Sequence, residues 1–174
     1  RGYASADVIE GYAGNDTLYG GDGLDTLNGG SGDDRLYGEN GDDTLNGSTG
    51  QNYLYGGGGS DTFLLGAADS KDWSKDWIYA QRSEDKLVLG AGILPAHVFL
   101  ERYSNNLDLV IRQGGVEVGR AVLVNQAADY SVYENGIGQV VFADGTVWDF
   151  NTIRSKALLG TAGNDSTLRG YASA

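Results

Sequence analysis

The chain has 174 residues, with 24 acidic against 12 basic side chains and a net charge of −12. That balance excludes a nucleic-acid partner, which demands a basic surface, and the absence of cysteine excludes disulfides and thiolate metal sites. No apolar run approaches the ~18 residues of a membrane span, no N-terminal secretory signal is present, and the lack of methionine suggests a piece cut from a longer protein.

From residue 2 the chain runs in blocks of nine: GYASADVIE, GYAGNDTLY, GGDGLDTLN, GGSGDDRLY, GENGDDTLN, GSTGQNYLY and a degenerate GGGGSDTFL. The sixth position holds Asp7, Asp16, Asp25, Asp34, Asp43, Asn52 and Asp61; the eighth holds Ile9, Leu18, Leu27, Leu36, Leu45, Leu54 and Phe63. The first six residues of each block are turn formers, and the last three read as a minimal strand with one inward side chain. A flexible linker has no reason to keep leucine at a fixed phase. Tyr19, Tyr37 and Tyr55 occupy the ninth position of alternate blocks, with Asn28 and Asn46 between them. This second period of 18 predicts two blocks per coil, coils stacked about 4.8 Å apart, a tyrosine ladder on one face and asparagines on the other. Residues 1–64 also hold eleven acidic side chains against two arginines. A segment so charged should not stay folded without a counter-charge.

These blocks resemble the RTX calcium-binding repeat, GGxGxDxUx, which forms a parallel β-roll. The resemblance implies calcium between turns adjacent on one side of the roll. Asp7, Asp25, Asp43 and Asp61 would serve one edge, and Asp16, Asp34 and Asn52 the other, with Asn52 making the weakest site. It also implies backbone carbonyl ligands near positions one and three. These are Gly11, Ala13, Gly20, Asp22, Gly29, Ser31, Gly38, Asn40, Gly47, Thr49, Gly56 and Gly58. Calcium takes six or more oxygens, which turn carbonyls and carboxylates provide, and it would neutralise the stacked acids. Four to five ions are expected.

After Leu65 the period stops, and a β-rich flank is expected in place of further roll. SKDWSKDW at residues 70–77 places Trp73 and Trp77 four apart. That spacing marks either a helical turn or two rings capping the open core of the last coil; an aromatic ligand site is the alternative. Strands are predicted at Lys86–Leu89, His97–Tyr103, Leu107–Arg112, Val116–Asn125 and Gln139–Phe142. Turns are predicted at Ser104–Asn106, Gln113–Gly115 and Asp144-Gly145, and a short helix at 152–159. Residues 86–150 resemble the haemolysin-type calcium-binding-related segment found beside RTX blocks. The stretches that carry this are Gly92–Pro95, Val98–Leu100, Asn106–Ile111 and Phe142–Trp148. The fold class is therefore all-β: a parallel β-roll over 1–65, an antiparallel β-rich cap over 66–159, and the start of another repeat over 160–174.

RGYASA stands at both 1–6 and 169–174. A tandem array with a unit of about 168 residues accounts for this; engineered termini are the competing account. In an array, the partners are neighbouring copies of the same module. No catalytic constellation is found. His97, the single histidine, lies in a predicted strand and reads as a structural or surface residue, so a triad or a histidine zinc site is not expected. The reading is a non-enzymatic, calcium-dependent folding module of a secreted or cell-surface protein, which the resemblance assigns to type I secretion. The alternatives are the C-terminal domain of a toxin or exoenzyme and a glycan-binding adhesin module. The tyrosine face would bind sugar or a partner, or be covered by the flank, which the rarity of large exposed apolar patches favours.

Overall fold

The computed structural model describes residues 1–66, 75–82, 84–103, 105–124 and 136–159. Trp73, Ser104, Asn125 and the 160–174 segment with its second RGYASA lie outside the described residues.

Each nonapeptide contributes one strand: β1 (Val8–Glu10), β2 (Thr17–Asp22), β3 (Thr26–Asn28), β4 (Arg35–Asn40), β5 (Thr44–Asn46), β6 (Gln51–Gly58) and β7 (Thr62–Leu65). Odd strands pair in parallel in one sheet and even strands in the other. The register repeats every 18 residues, setting Leu18 against Leu36 and Leu54, and Leu27 against Leu45 and Phe63. Position eight therefore fills the space between the sheets. Leu27, Leu36, Leu45, Leu54 and Phe63 are fully buried, each contributing about 1.5–3 kcal/mol. Ile9, in the first coil, is only partly buried.

The turns rest on glycine at position four. Gly14, Gly23, Gly32, Gly41, Gly50 and Gly59 all adopt positive φ, a region that costs an L side chain about 1–2 kcal/mol. A Cβ on Gly23 would also lie 2.7 Å from the carbonyl of Ser5.

The roll does not stop at Leu65. β8 (Lys75–Tyr79) pairs in parallel with β6, and β9 (Lys86–Leu89) with β7. They set Asp76 opposite Asn52, and Ile78, buried, opposite Leu54. On the other sheet Leu87, also buried, stands opposite Phe63. One more coil follows, offset by 24 residues in place of 18. Residues 75–79 are thus a strand, not a helical turn. Trp77 lies on the outer surface of that strand, stacked on Tyr53 at 4.8 Å, so its ring does not cap the core.

The flank closes the roll by extending both sheets. β10 (Val98–Tyr103), β11 (Asn106–Gln113) and β12 (Val116–Leu123) form an antiparallel meander, and β12 joins β8 in parallel. β13 (Gln139–Val141) joins β9 in parallel and β14 (Val147–Asp149) antiparallel. The antiparallel cap is thus grafted onto the roll through two parallel pairings. Gly114 and Gly115 make the β11–β12 turn with φ of 57° and 82°, the two positive values of a tight hairpin. Asp144 Oδ1 accepts the Thr146 N–H and Gly145 has φ 86°, closing the predicted turn before β14. Helix α1 (Phe150–Leu159) follows, and its Ile153 and Ala157 join the same core as the roll leucines. His97 sits in a short 3-10 turn, Pro95–His97, just before β10. Its Nδ1 accepts the Leu94 N–H at 3.3 Å, a structural role.

Candidate metal centre

Position six stands at the end of each turn, where its side chain enters the gap between neighbouring coils. Along one edge the N–H of Asp7 donates to Oδ1 of Asp25, Asp25 to Asp43, Asp43 to Asp61 and Asp61 to Asp85. Along the other edge Asp16 donates to Asp34, and Asp34 to Oδ1 of Asn52. One oxygen each of Asp25, Asp34, Asp43, Asp61 and Asp85 therefore ties two coils together. The second oxygen, Oδ2, of Asp16, Asp25, Asp34, Asp43 and Asp61 is buried and has no hydrogen-bond partner.

An ionised oxygen buried without a partner is costly. Desolvation pushes the carboxyls of Asp34 and Asp43 above their usual range, opposed by the amide bond from the preceding coil and reinforced by neighbouring acids. Asp61 is pushed up to about 6 for the same reasons, with Asp85, Asp43 and Asp42 as the reinforcing charges. The array is strained electrostatically unless a cation enters.

Position one shows where a cation would fit. All seven blocks carry glycine there, yet none of Gly2, Gly11, Gly20, Gly29, Gly38, Gly47 and Gly56 adopts positive φ. Space, not backbone freedom, is the reason. A Cβ on Gly20 would lie 2.5 Å from Asp25 Oδ2 and 2.6 Å from the Gly38 carbonyl oxygen. The absent methyl leaves a cradle flanked by a carboxylate oxygen and a carbonyl oxygen. Gly11 opens the same space between Asp16 Oδ2 and the Gly29 carbonyl, and Gly38 between Asp43 Oδ2 and the Gly56 carbonyl. Gly29 and Gly56 face Oδ2 of Asp34 and Asp61. Among the described residues no three His, Cys, Asp or Glu side chains gather into one cluster. The donor set is one carboxylate with backbone carbonyls, which fits a hard ion such as calcium and does not fit zinc.

The position-three carbonyls are partly engaged. Those of Ser31, Asn40, Thr49 and Gly58 accept the N–H of Gly14, Gly23, Gly32 and Gly41, leaving one lone pair each. Ala13 and Asp22 hold the same place in the first coils; Ala13 bridges Ser31.

Asn52 differs from the expected weak ligand. Its Oδ1 is taken by the Asp34 N–H, so Nδ2 is left, and this donates to Asp76 Oδ1 at 2.9 Å. Nδ2 also stands 2.5 Å from where a Cβ on Gly47 would be. A donor group there repels a cation. The ends of the ladders are likewise closed by protein. Asp7 Oδ2 accepts the Tyr3 N–H, and Asp85 Oδ2 accepts the N–H groups of Gln81 and Arg82. Ala80 stands five residues before Asp85, where each roll block has glycine, so a methyl group occupies the place of a cradle.

Asp76 and Asp85 were not legible as members of the ladders. Their signal is the motif Asp-x-apolar-x, in Asp76-Trp77-Ile78-Tyr79 and Asp85-Lys86-Leu87-Val88. Burial pushes the Asp76 carboxyl up to about 7, opposed by the bonds from Asn52.

The outer face of the even-strand sheet carries the aromatic columns. Tyr19, Tyr37, Tyr55 and Tyr79 stack in order, with centroids 4.9, 4.7 and 4.2 Å apart. All four are half-buried. Among the described residues, the flank continues this sheet edge-on through β12.

Residues 1–36 and 37–69 both match the family described as RTX calcium-binding nonapeptide repeat (4 copies). Residues 1–69 are RTX calcium-binding repeats. Residues 119–152 match the haemolysin-type calcium binding protein related domain, a narrower stretch than the 86–150 read from the sequence, running from β12 into α1. No curated protein matches the chain. RTX nonapeptides bind calcium, and the cradles place buried, unpartnered oxygens where the RTX frame puts its acids. No helix among the described residues is long and apolar enough to cross a membrane.

Proposed function

We propose that this RTX chain is a calcium-dependent folding module of a larger secreted protein, serving as a tandem structural unit and carrying no catalysis of its own. The observation that supports it is the set of five buried carboxylate oxygens without partners. They oppose folding until a cation enters, so calcium concentration sets whether the module is folded. Asp16, Asp25, Asp34, Asp43 and Asp61 would hold the ions, with the carbonyls of Gly29, Gly38 and Gly56 beside them. That gives up to five sites. The chain would stay unfolded where calcium is scarce and fold outside the cell, with type I secretion as the route. The repeated RGYASA supports neighbouring copies of the module as its partners.

The test is a calcium titration of the metal-free chain followed by far-ultraviolet circular dichroism, with magnesium as control. A cooperative gain of sheet with calcium alone is expected. A chain already folded in chelator overturns the proposal. The second reading, a C-terminal secretion and folding domain of a toxin or exoenzyme, is separated by the adjoining sequence, where a catalytic or pore-forming domain would replace further copies.

A further inference from the structure

The aromatic face of the roll departs from the rest of the molecule in charge. Its two outward columns are Thr17, Arg35, Tyr53 and Trp77 at position seven, and Tyr19, Tyr37, Tyr55 and Tyr79 at position nine. None of these is acidic, in a chain of net charge −12. Three cations lie over the rings: Arg1 at 5.6 Å from the Tyr19 centroid, Arg35 at 5.4 Å from Tyr53, and Lys75 at 4.7 Å from Trp77. Arg1 also meets Glu39 at the rim. Arg35 is exposed and, among the described residues, forms no ion pair.

Ring geometry decides what such a face can bind. The tyrosines stack within 7–16° of parallel, so every ring face inside the stack is covered by a neighbour, and Arg1 lies over the Tyr19 ring. Sugar stacking on a ring is thus blocked along the ladder. Ring edges and phenol ends recur at the coil spacing over about 14 Å on this half-buried face. The hydroxyls of Tyr55 and Tyr79 are within hydrogen-bond reach of each other. Burial holds the Tyr37 and Tyr55 phenols above their usual range, so they remain donors. A line of neutral phenols, with one O–H engaged between Tyr55 and Tyr79, flanked by guanidinium and ammonium groups suits a linear anion with regularly spaced acceptor oxygens.

We infer that this face, from Tyr19 to Tyr79 with Arg35 and Lys75, is a docking site for an extracellular anionic polysaccharide. The inference rests on the calcium-folded roll proposed above, because the columns exist only when the coils stack. The anionic groups lie along the hydroxyl row beside Arg35, with Lys75, which also acts on the flank acids Asp108 and Glu117, as the second cation. A neutral glucan meets no such complement.

Isothermal titration of the calcium-saturated chain with dextran sulfate and with unmodified dextran tests this, with circular dichroism recorded on the same samples. Saturable binding of dextran sulfate and none of dextran is expected. The double variant Arg35→Ser/Lys75→Ser should bind at least ten-fold more weakly. Tyr37→Phe/Tyr55→Phe keeps the ring stack, removes two hydroxyls and should weaken binding several-fold with an unchanged calcium midpoint. Absence of binding by a folded chain, equal binding of the two dextrans, or parent-like affinity in both variants overturns the docking site alone. A chain that stays disordered in calcium overturns the folding proposal as well.

Discussion

The cradle at Gly20 yields a sharp test, because its contents can be changed without touching a charge. Gly20 does not adopt positive φ, so the Gly20→Ala backbone is unstrained. The new methyl would stand 2.5 Å from Asp25 Oδ2 and 2.6 Å from the Gly38 carbonyl, filling the space an ion needs. At calcium a hundred times above its dissociation constant, each site stabilises the fold by about 2.7 kcal/mol. Closing one of five should lower the ion count by one and the stability at saturating calcium by about 3 kcal/mol. Gly58→Ala is the control, since its methyl would meet nothing nearer than Asn40 Oδ1 at 3.5 Å. Calorimetric titration counts the ions, and urea unfolding at saturating calcium gives the stability. Overlap with the Gly38 carbonyl alone would lower stability with the count intact, so the count decides. A full complement of ions in Gly20→Ala would refute the cradle, as would an equal loss in Gly58→Ala.

Other outcomes follow from the same geometry. Asn52→Asp removes the Nδ2 bond to Asp76 and sets two buried carboxylates together; it should raise the calcium midpoint and add one ion, read by titration. Asp61 has a folded-state pKa raised to about 6, as Asp34 and Asp43 are raised in direction. The metal-free fold thus binds more protons than the unfolded chain, and its stability falls as pH rises. In chelator, the chain should gain sheet on acidification from pH 7 towards the ordinary carboxylate pKa, seen by circular dichroism; no gain would contradict the burial of these groups. Tyr37→Ala breaks two ring stacks and should cost about 1–3 kcal/mol in urea unfolding with calcium. Leu45→Ala, at a fully buried site, should cost about 2–5 kcal/mol.

The roll was legible because one acid and one apolar side chain recur at constant spacing, and constant spacing is what a stacked coil requires. Leu27, Leu36, Leu45 and Leu54 needed only the nine-residue frame to be placed inward. The coil of β8 and β9 was hidden because six extra residues precede it and glycine is missing five places before each of its acids, where Lys71 and Ala80 stand. The same missing glycine that concealed Asp85 also removes its cradle. The role of Asn52 was hidden because its partner, Asp76, lies 24 residues away and no periodic rule links them. Trp77 was misplaced because SKDWSKDW suggests its own period of four, whereas pairing with β6 imposes a period of two.

The ladders of position six give the roll a direction. Asp25, Asp34, Asp43 and Asp61 each accept the amide of the coil before them, so a coil is completed by the one that follows in sequence. The far end of the series is fixed by β12 and β13, while nothing in the bonds of β3 to β9 depends on how many coils precede them. An eighteen-residue insertion ahead of β1 would therefore leave every existing register intact, whereas one after β9 would have to displace the flank. Added coils thus join a spring whose one end is clamped by the flank.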